Sequence, residues 1–334
     1  MTTDERYMAR CLQLARCGAE GAPPNPMVGA VLVHDGRIIG EGFHRRCGEA
    51  HAEVNAIASV RERHLIPSAT LYVSLEPCAH YGRTPPCADL IVRERIPRVV
   101  IGCRDTFARV NGLGIRRLQE AGVEVTVGVL EEECRWLNRR FFTFHGEGRP
   151  WVTLKWAQSE DGFIDRLRQD ASTLPATLSS PFTQVLVHRL RAQSQAILVG
   201  TRTALLDNPT LTTRLWPGTN SLRLTIDRYG TLPADLHLKD DEAPFHVYPT
   251  GDLGEILSDL HRRGIQHLLV EGGAALLQSF IDEGRWDEAR VETAPVQLGS
   301  GIAAPRIEDA RLVAQHLVDG HTIAWMARCR EGKG

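Results

Sequence analysis

The sequence predicts an α/β protein of two domains, and three observations predict it. The chain has 334 residues, more than one ordinary domain holds and about right for two. Short β-branched stretches alternate with amphipathic helical ones along its whole length, the order that builds mostly parallel sheets covered by helices. A polar Gly/Pro stretch, His145-Gly146-Glu147-Gly148-Arg149-Pro150, interrupts the alternation, and strand and helix signals restart after it. The boundary falls there, giving domains 1–147 and 148–334.

The elements follow in order. Residues 4–17 carry one apolar stripe of Tyr7, Met8, Cys11, Leu12 and Leu14, the mark of a helix. Gly21–Pro26 is a breaker cluster and reads as a loop. Val28–His34 and Arg37–Gly42 are strands joined by an Asp35-Gly36 hairpin turn. Ala50–Arg63 reads as a helix, Ala69–Leu75 as a strand, Cys87–Glu94 as a helix and Arg98–Gly102 as a strand. A helix over Ile115–Ala121, a strand over Val123–Gly128 and a helix over Glu131–Arg140 complete the first half. In the second half, strands are predicted at Val152–Ala157, Ala196–Gly200, Leu222–Asp227, His267–Glu271 and Glu288–Ala294. Helices are predicted at Phe182–Arg191, Asp252–Arg263 and Ala274–Glu283. No internal repeat or low-complexity segment is present.

Composition excludes several classes. Hydrophobic residues make up 43% and charged residues 24%, as in a soluble globular protein with an ample core. Ala196–Gly200 and Ile265–Val270, the longest apolar runs, are far too short to span a bilayer. Residues 1–8 are polar and hold no signal-peptide core. A cytoplasmic protein is expected, with no membrane partner, and its eight cysteines are then reduced ligands or core residues. The formal net charge is −2, with no basic block, which argues against a dedicated nucleic-acid binder. Of 39 basic residues only Lys155, Lys239 and Lys333 are lysine. Genome composition accounts for most of that skew, yet a chain that writes Arg almost everywhere keeps one Lys inside a predicted strand.

The motif that carries chemistry is His51-Ala52-Glu53, followed by Pro77-Cys78 and Cys87. One imidazole and two thiolates supply a near-neutral zinc site with a position left open for water. Zinc makes that water a nucleophile near pH 7. A carboxylate two residues after the His, at the start of the same helix, faces the water without ligating the metal. It shuttles the proton to a leaving nitrogen. This is the His-x-Glu … Pro-Cys arrangement of zinc deaminases. The competing reading is a structural zinc module or plain core cysteines. A structural site needs four protein ligands, for which His80 or Cys47 are candidates. Glu53 and the Pro before Cys78 favour catalysis. Nucleoside and tRNA deaminases usually carry Pro-Cys-x-x-Cys, whereas here Ala79-His80-Tyr81-Gly82-Arg83-Thr84-Pro85-Pro86 separates the two cysteines. His80 and Arg83 then sit at the pocket mouth, placed to meet a polar or phosphorylated substrate.

Four segments together resemble the bifunctional riboflavin-biosynthesis deaminase/reductases. They are Pro24-Asn25-Pro26-Met27-Val28-Gly29, Gly42-Phe43-His44, His51-Ala52-Glu53 and the run from Leu75 to Cys87. The similarity covers nearly the whole chain. It implies a cytidine-deaminase-like three-layer domain followed by a dihydrofolate-reductase-like domain, with Zn2+ and NADPH as cofactors. It further implies that Asn25, His44, His80, Arg83 and Asp105 meet the base and phosphate of the deaminase substrate. The family commonly has Asp-Pro-Asn-Pro before a Gly-x-Gly turn. Here Asp105-Thr106-Phe107-Ala108 precedes Gly112-Leu113-Gly114.

The second half, read by itself, has no Gly-x-Gly-x-x-Gly after a strand, so a Rossmann site is not expected. Val270-Glu271-Gly272-Gly273-Ala274 lies where a strand feeds a helix and is either a phosphate-approaching turn or a plain tight one. The resemblance extends to Leu154-Lys155-Trp156-Ala157, Asp161-Gly162, Arg191-Ala192, residues 197–200, Thr203, Asp207-Asn208-Pro209 and residues 211–214. It implies that Ala157, Thr203, Asp207 and Gly273 line the cofactor. Lys155, Arg191, Leu211, Arg214 and Glu271 would meet a phosphoribosyl substrate. The family's Ser-x-Trp-Ile-Thr segment is missing from residues 165–180, and what replaces that aromatic wall is unassigned.

The expected protein deaminates a diaminopyrimidinone ribosyl phosphate and reduces the ribosyl group of the product to ribityl with NADPH. Its partners are small molecules, phosphoribosylated pyrimidines and NADPH, and it is expected to be a homo-oligomer. Three rivals stay open. A deaminase with a degenerate second half would bind zinc but never consume NADPH. A nucleic-acid-editing or RNA-binding protein would shift RNA on a gel. A structural zinc module would ignore mutation of Glu53.

Overall fold

The computed structural model describes residues 1–79, 81, 85–105 and 112–329. The chain divides into two compact units, Met1–Gly148 and Arg149–Gly334.

In the first unit α1 (Thr3–Arg16) is closed at its start by a capping box, Thr2 and Glu5 exchanging side-chain and backbone bonds. β1 (Gly29–His34) and β2 (Arg37–Phe43) form the expected hairpin. Asp35 and Gly36 both take positive φ, 47° and 74°, as a two-residue turn of this hand requires. α2 (Ala52–Ala58), β3 (Thr70–Leu75), α3 (Cys87–Arg93), β4 (Arg98–Cys103), α4 (Leu113–Glu120), β5 (Glu124–Val127), α5 (Glu131–Leu137) and α6 (Arg139–Glu147) follow. The strands lie in the order β2-β1-β3-β4-β5, with β3, β4 and β5 parallel and β1 antiparallel to both neighbours. Alternation along β1 divides the core. Ala30 and Leu32 pack with Ala56, Ile57, Ile91 and Leu118 of α2, α3 and α4. Val31 and Val33 pack with Tyr7, Met8, Leu12 and Cys134 of α1 and α5. This is a three-layer α/β/α unit.

Two expectations need correction here. The helix expected over residues 50–63 ends at Ala58, because the Ser59 hydroxyl turns back to Ala56 O and accepts from Glu41 N of β2. Residues 63–68 form a short 3-10 turn containing Pro67. The single helix expected at 131–140 is two, broken at Asn138, whose side chain bonds both the N–H and the carbonyl of Met27. α6 runs through the stretch taken as a polar linker and stops at Gly148, whose φ of 66° closes the helix.

The second unit begins with β6 (Trp151–Ser159) and β7 (Phe163–Asp165). α7 (Pro181–Ala192), β8 (Ala196–Val199), α8 (Thr201–Asp207), β9 (Leu222–Ile226) and β10 (Phe245–Tyr248) come next. α9 (Leu253–Arg262), β11 (His267–Val270), α10 (Ala274–Asp282), β12 (Glu288–Ala294), β13 (Ile302–Ala303), β14 (Ala310–Val318) and β15 (His321–Arg328) complete it. Eight strands lie in the order β10-β9-β8-β11-β6-β12-β15-β14. The first six run parallel and the β14–β15 hairpin closes one edge antiparallel. β7 and β13 pair separately. α9 and α10 cover one face through Leu253, Ile256, Leu260, Leu277 and Phe280. α7 covers the other, where Leu190 packs with Ile197, Val199 and Leu269. β7, α8, β10 and the last three strands were not anticipated. They are short or amphipathic in a way periodicity does not resolve, and β14, an edge strand, exposes Leu312 and Leu317.

Candidate active sites

β3 delivers Glu76-Pro77-Cys78 past the C-terminal edge of its sheet, and α2 and α3 begin beside it. His51 is the N-cap residue of α2 and makes no side-chain cap bond, so its ring is free to turn outward. The His51 Nδ1 atom lies 3.6 Å from Cys78 Sγ and 3.3 Å from Cys87 Sγ. The three ligand atoms all lie within 4.8 Å of one another. One nitrogen and two sulfurs converging in this way form a donor set suited to zinc with a position left open. The Cys87 N–H donates to Cys78 Sγ at 3.3 Å. That thiol lies well below the usual thiol range, held down by the Cys87 thiol and by His51 against the cost of burial.

Glu53 sits in the first turn of α2 and is 3% exposed. Burial lifts its carboxyl to about 7, with His51 pulling the other way. α2 comes this close because Gly40 and Gly42 of β2 carry no side chain. A Cβ on Gly42 would stand 2.3 Å from Ala56 N, and one on Gly40 2.5 Å from Ala56 O.

The pocket wall gains Asn25 and His44. The buried His44 ring stands edge-on to His51 at 5.4 Å between centroids. His44 Nδ1 donates to Ala50 O at 3.1 Å, and Nε2 accepts from Asn25 Nδ2 at 3.1 Å. A carbonyl only accepts and an amide nitrogen only donates, so these bonds select the neutral ring. Burial lowers its pKa in the same sense. Asn25 is thereby tied to the ring that stands against His51. Asp105 is buried just after β4, while His80 and Arg83 lie outside the described residues. Glu76 was given no role by the sequence analysis. Its buried carboxylate accepts from the backbone N–H groups of Asp105, Gly112, Gly114 and Ile115 at 3.0–3.3 Å. It fixes the start of α4 against the ligand loop.

In the second unit a cleft of about 760 Å3 opens at the C-terminal ends of β6, β8 and β11, where ligands of parallel sheets bind. Lys155, Ala157, Thr203, Asp207, Gly273 and Arg214 all line it, as do Arg191 and Glu271. Arg191 holds Glu271 in a two-pronged pair at 2.7 and 2.6 Å. Gly273 has φ 76°, and a Cβ there would meet Thr203 Oγ1 at 3.2 Å, so the turn before α10 leaves room for a ligand. Leu211 lies beneath the cleft residues in the core. Its side chain is buried among Ile197, Val199 and Leu269 instead of lining the cleft. Where the aromatic wall was missing, Pro175, Ala176, Thr177 and Leu178 line the cleft. Beside them the buried Arg168 bridges Asp165 and Asp207. Sequence reasoning missed Arg168, because nothing local distinguishes it from a surface arginine.

A metal-binding deaminase domain and a second α/β domain with its own ligand cleft define a two-site enzyme. The model of the cytidine and deoxycytidylate deaminase zinc-binding region matches residues 1–103, and that of the RibD C-terminal domain matches residues 150–323. The chain is 39% identical over 323 residues to the riboflavin biosynthesis protein RibD of Aquifex aeolicus, covering 90% of this chain and 89% of that one. It is 36% identical to RibD of Escherichia coli, with 89% of each covered. The crystal structure of a diaminohydroxyphosphoribosylaminopyrimidine deaminase/5-amino-6-(5-phosphoribosylamino)uracil reductase from Thermotoga maritima superposes with a TM-score of 0.86. It is 34% identical, with 98% of this chain and 99% of that one covered. The chain belongs to the RibD family of bifunctional riboflavin-biosynthesis enzymes, with the cytidine-deaminase zinc-binding region first and the RibD C-terminal domain second.

Proposed function

We propose that the first domain removes an exocyclic amine from a diaminopyrimidinone ribosyl phosphate, and that the second reduces the ribosyl group of the product to ribityl with NADPH. The convergence of His51, Cys78 and Cys87 beside the buried, non-ligating Glu53 carries the reading. Bound there, zinc supplies the Lewis acidity that makes water a nucleophile at neutral pH. Glu53 takes a proton from the attacking water and returns one to the departing nitrogen, so that a C–O bond forms, the C–N bond breaks and ammonia leaves. A carboxyl lifted to about 7 by burial exchanges protons readily in both directions. Asn25 and the neutral His44 hold the base edge-on.

In the second domain NADPH supplies the hydride. Ala157, Thr203, Asp207 and the Gly273 turn form its wall, while Lys155, the Arg191–Glu271 pair and Arg214 hold the phosphoribosyl group. The domain boundary at the end of α6 and a cytoplasmic location, in which the thiol ligands stay reduced, complete the proposal.

The test is to incubate the zinc-loaded protein with the pyrimidine substrate, with and without NADPH, and identify products by mass. Loss of the amine without NADPH, followed by a gain of two hydrogens with it, is expected. Deamination that never proceeds to reduction would leave only the first half of the proposal standing.

A further inference from the structure

Beneath α7, next to the reductase cleft, a charged network extends from Lys155 and the Arg191–Glu271 pair to Arg290 and Glu292, which none of the assignments above uses. β12 alternates the buried Glu288, Arg290 and Glu292 with Ala289, Val291 and the half-buried Thr293. Arg290 is 2% exposed and stands opposite Lys155 on the adjacent parallel strand β6, so the two share one face of the sheet. Arg290 Nη1 reaches Glu292 Oε2 at 3.3 Å. Glu292 also accepts from Thr183 of α7 at 2.6 Å and has His321 of β15 at 3.2 Å. On the other side of Lys155, Glu271 is taken by both prongs of Arg191. Lys155 itself makes no hydrogen bond or ion pair among the described residues, although Glu271 and Glu292 are both near enough to act on its charge.

The arrangement has a simple electrostatic reading. Lys155, Arg191 and Arg290 share a buried region with Glu271 and Glu292, and each of these two carboxylates pairs with an arginine, while Glu288 further along β12 accepts from Thr153. The ammonium left over is the one that faces the cleft. Burial lowers the pKa of Lys155; Glu271 opposes that, and Arg290 and Arg191 add to it. We infer that Arg290 is a positioning residue for reduction. By occupying Glu292 and repelling Lys155, it keeps the Lys155 ammonium unpaired and directed at the ribosyl oxygens of the substrate. Without Arg290, Glu292 would keep only the Thr183 hydroxyl and the His321 ring on Oε1, and Lys155 would swing sideways to pair with the vacated Oε2.

This inference rests on the reductase reading, and the experiment separates the two. Three full-length zinc-loaded proteins are compared, wild type, Arg290→Leu and the double variant Arg290→Leu/Glu292→Leu. NADPH oxidation is followed on deaminated substrate and ammonia release is measured in parallel. Arg290→Leu is expected to lose about ten-fold or more in reductase kcat/KM, the scale of one charge-assisted contact, with NADPH Kd unchanged. The double variant removes the competing carboxylate as well and is expected to recover most of that loss, since a buried ion pair replaced by apolar residues is often neutral for stability. Ammonia release should be equal in all three. If Arg290→Leu keeps its full reductase kcat/KM, or the double variant is as impaired as the single, the inference is wrong. If Arg290→Leu alone does not fold, the double variant still decides: wild-type reductase kinetics support the inference, and a ten-fold loss overturns it. A wild type that releases ammonia yet never oxidises NADPH would instead overturn the reductase reading.

Discussion

At the scale of single residues, the proposed deamination turns on Glu53, a buried carboxylate beside the His51, Cys78 and Cys87 cluster but not part of it. Glu53→Gln keeps the shape and the hydrogen bonds but cannot carry a proton. It should retain zinc and lower ammonia release by at least about 10²-fold, as measured by metal content and steady-state kinetics on one preparation. The reductase counterpart is Arg214, whose guanidinium is propped by Thr212 at 2.8 Å and by Thr210 while it lines the cleft. Arg214→Ala should raise substrate KM by about ten- to a hundred-fold, on the order of 1.5–3 kcal/mol. Arg214→Lys should recover only part of this, because an ammonium lacks the planar fork. An effect on NADPH Kd in place of KM would assign Arg214 to the other ligand. The convergence of His51, Cys78 and Cys87 was legible in the sequence because metal chemistry admits few residue types at such spacings. Glu76 and Arg290 were not, because their roles are defined by what surrounds them. Only the alternation of Glu288, Arg290 and Glu292 in a buried strand hinted at the second.

At the scale of elements, the zinc site depends on how closely helices approach strands. α4 reaches the ligand loop at Gly114, where a Cβ would stand 1.9 Å from Pro77 O, next to Cys78. Gly114→Ala should push α4 off Pro77, strain the four N–H bonds to Glu76 and destabilise the first domain by about 1–3 kcal/mol, as overpacking does. Faster zinc loss to a chelator and a lower unfolding midpoint are the readouts, and an unchanged zinc off-rate would show that the loop yields without cost. Hairpins and amphipathic helices were legible here, since Asp35-Gly36 and the α1 stripe are local signals. The early end of α2 and the break at Asn138 were not. Both follow from bonds to residues distant in sequence, Glu41 and Met27.

For the whole molecule, two separately packed units predict two separable activities. A fragment from residue 149 onward should oxidise NADPH with deaminated substrate, and a fragment of residues 1–148 should bind zinc and release ammonia. A folded but inert C-terminal fragment would count against the boundary or the reductase assignment. Removing zinc from the full chain should abolish ammonia release and leave NADPH oxidation on deaminated substrate intact, checked by readdition of metal. The sequence by itself determined the two α/β units and the three residues that converge as a metal-binding cluster, because periodicity and donor chemistry are local properties of the chain. Only the tertiary structure decided that the Leu211 side chain is buried in the core, that Arg168 bridges Asp165 and Asp207, and that Arg191 and Arg290 pair with Glu271 and Glu292 beside Lys155. Those outcomes depend on which strands become neighbours, and in a parallel sheet the neighbours come from far apart in the chain.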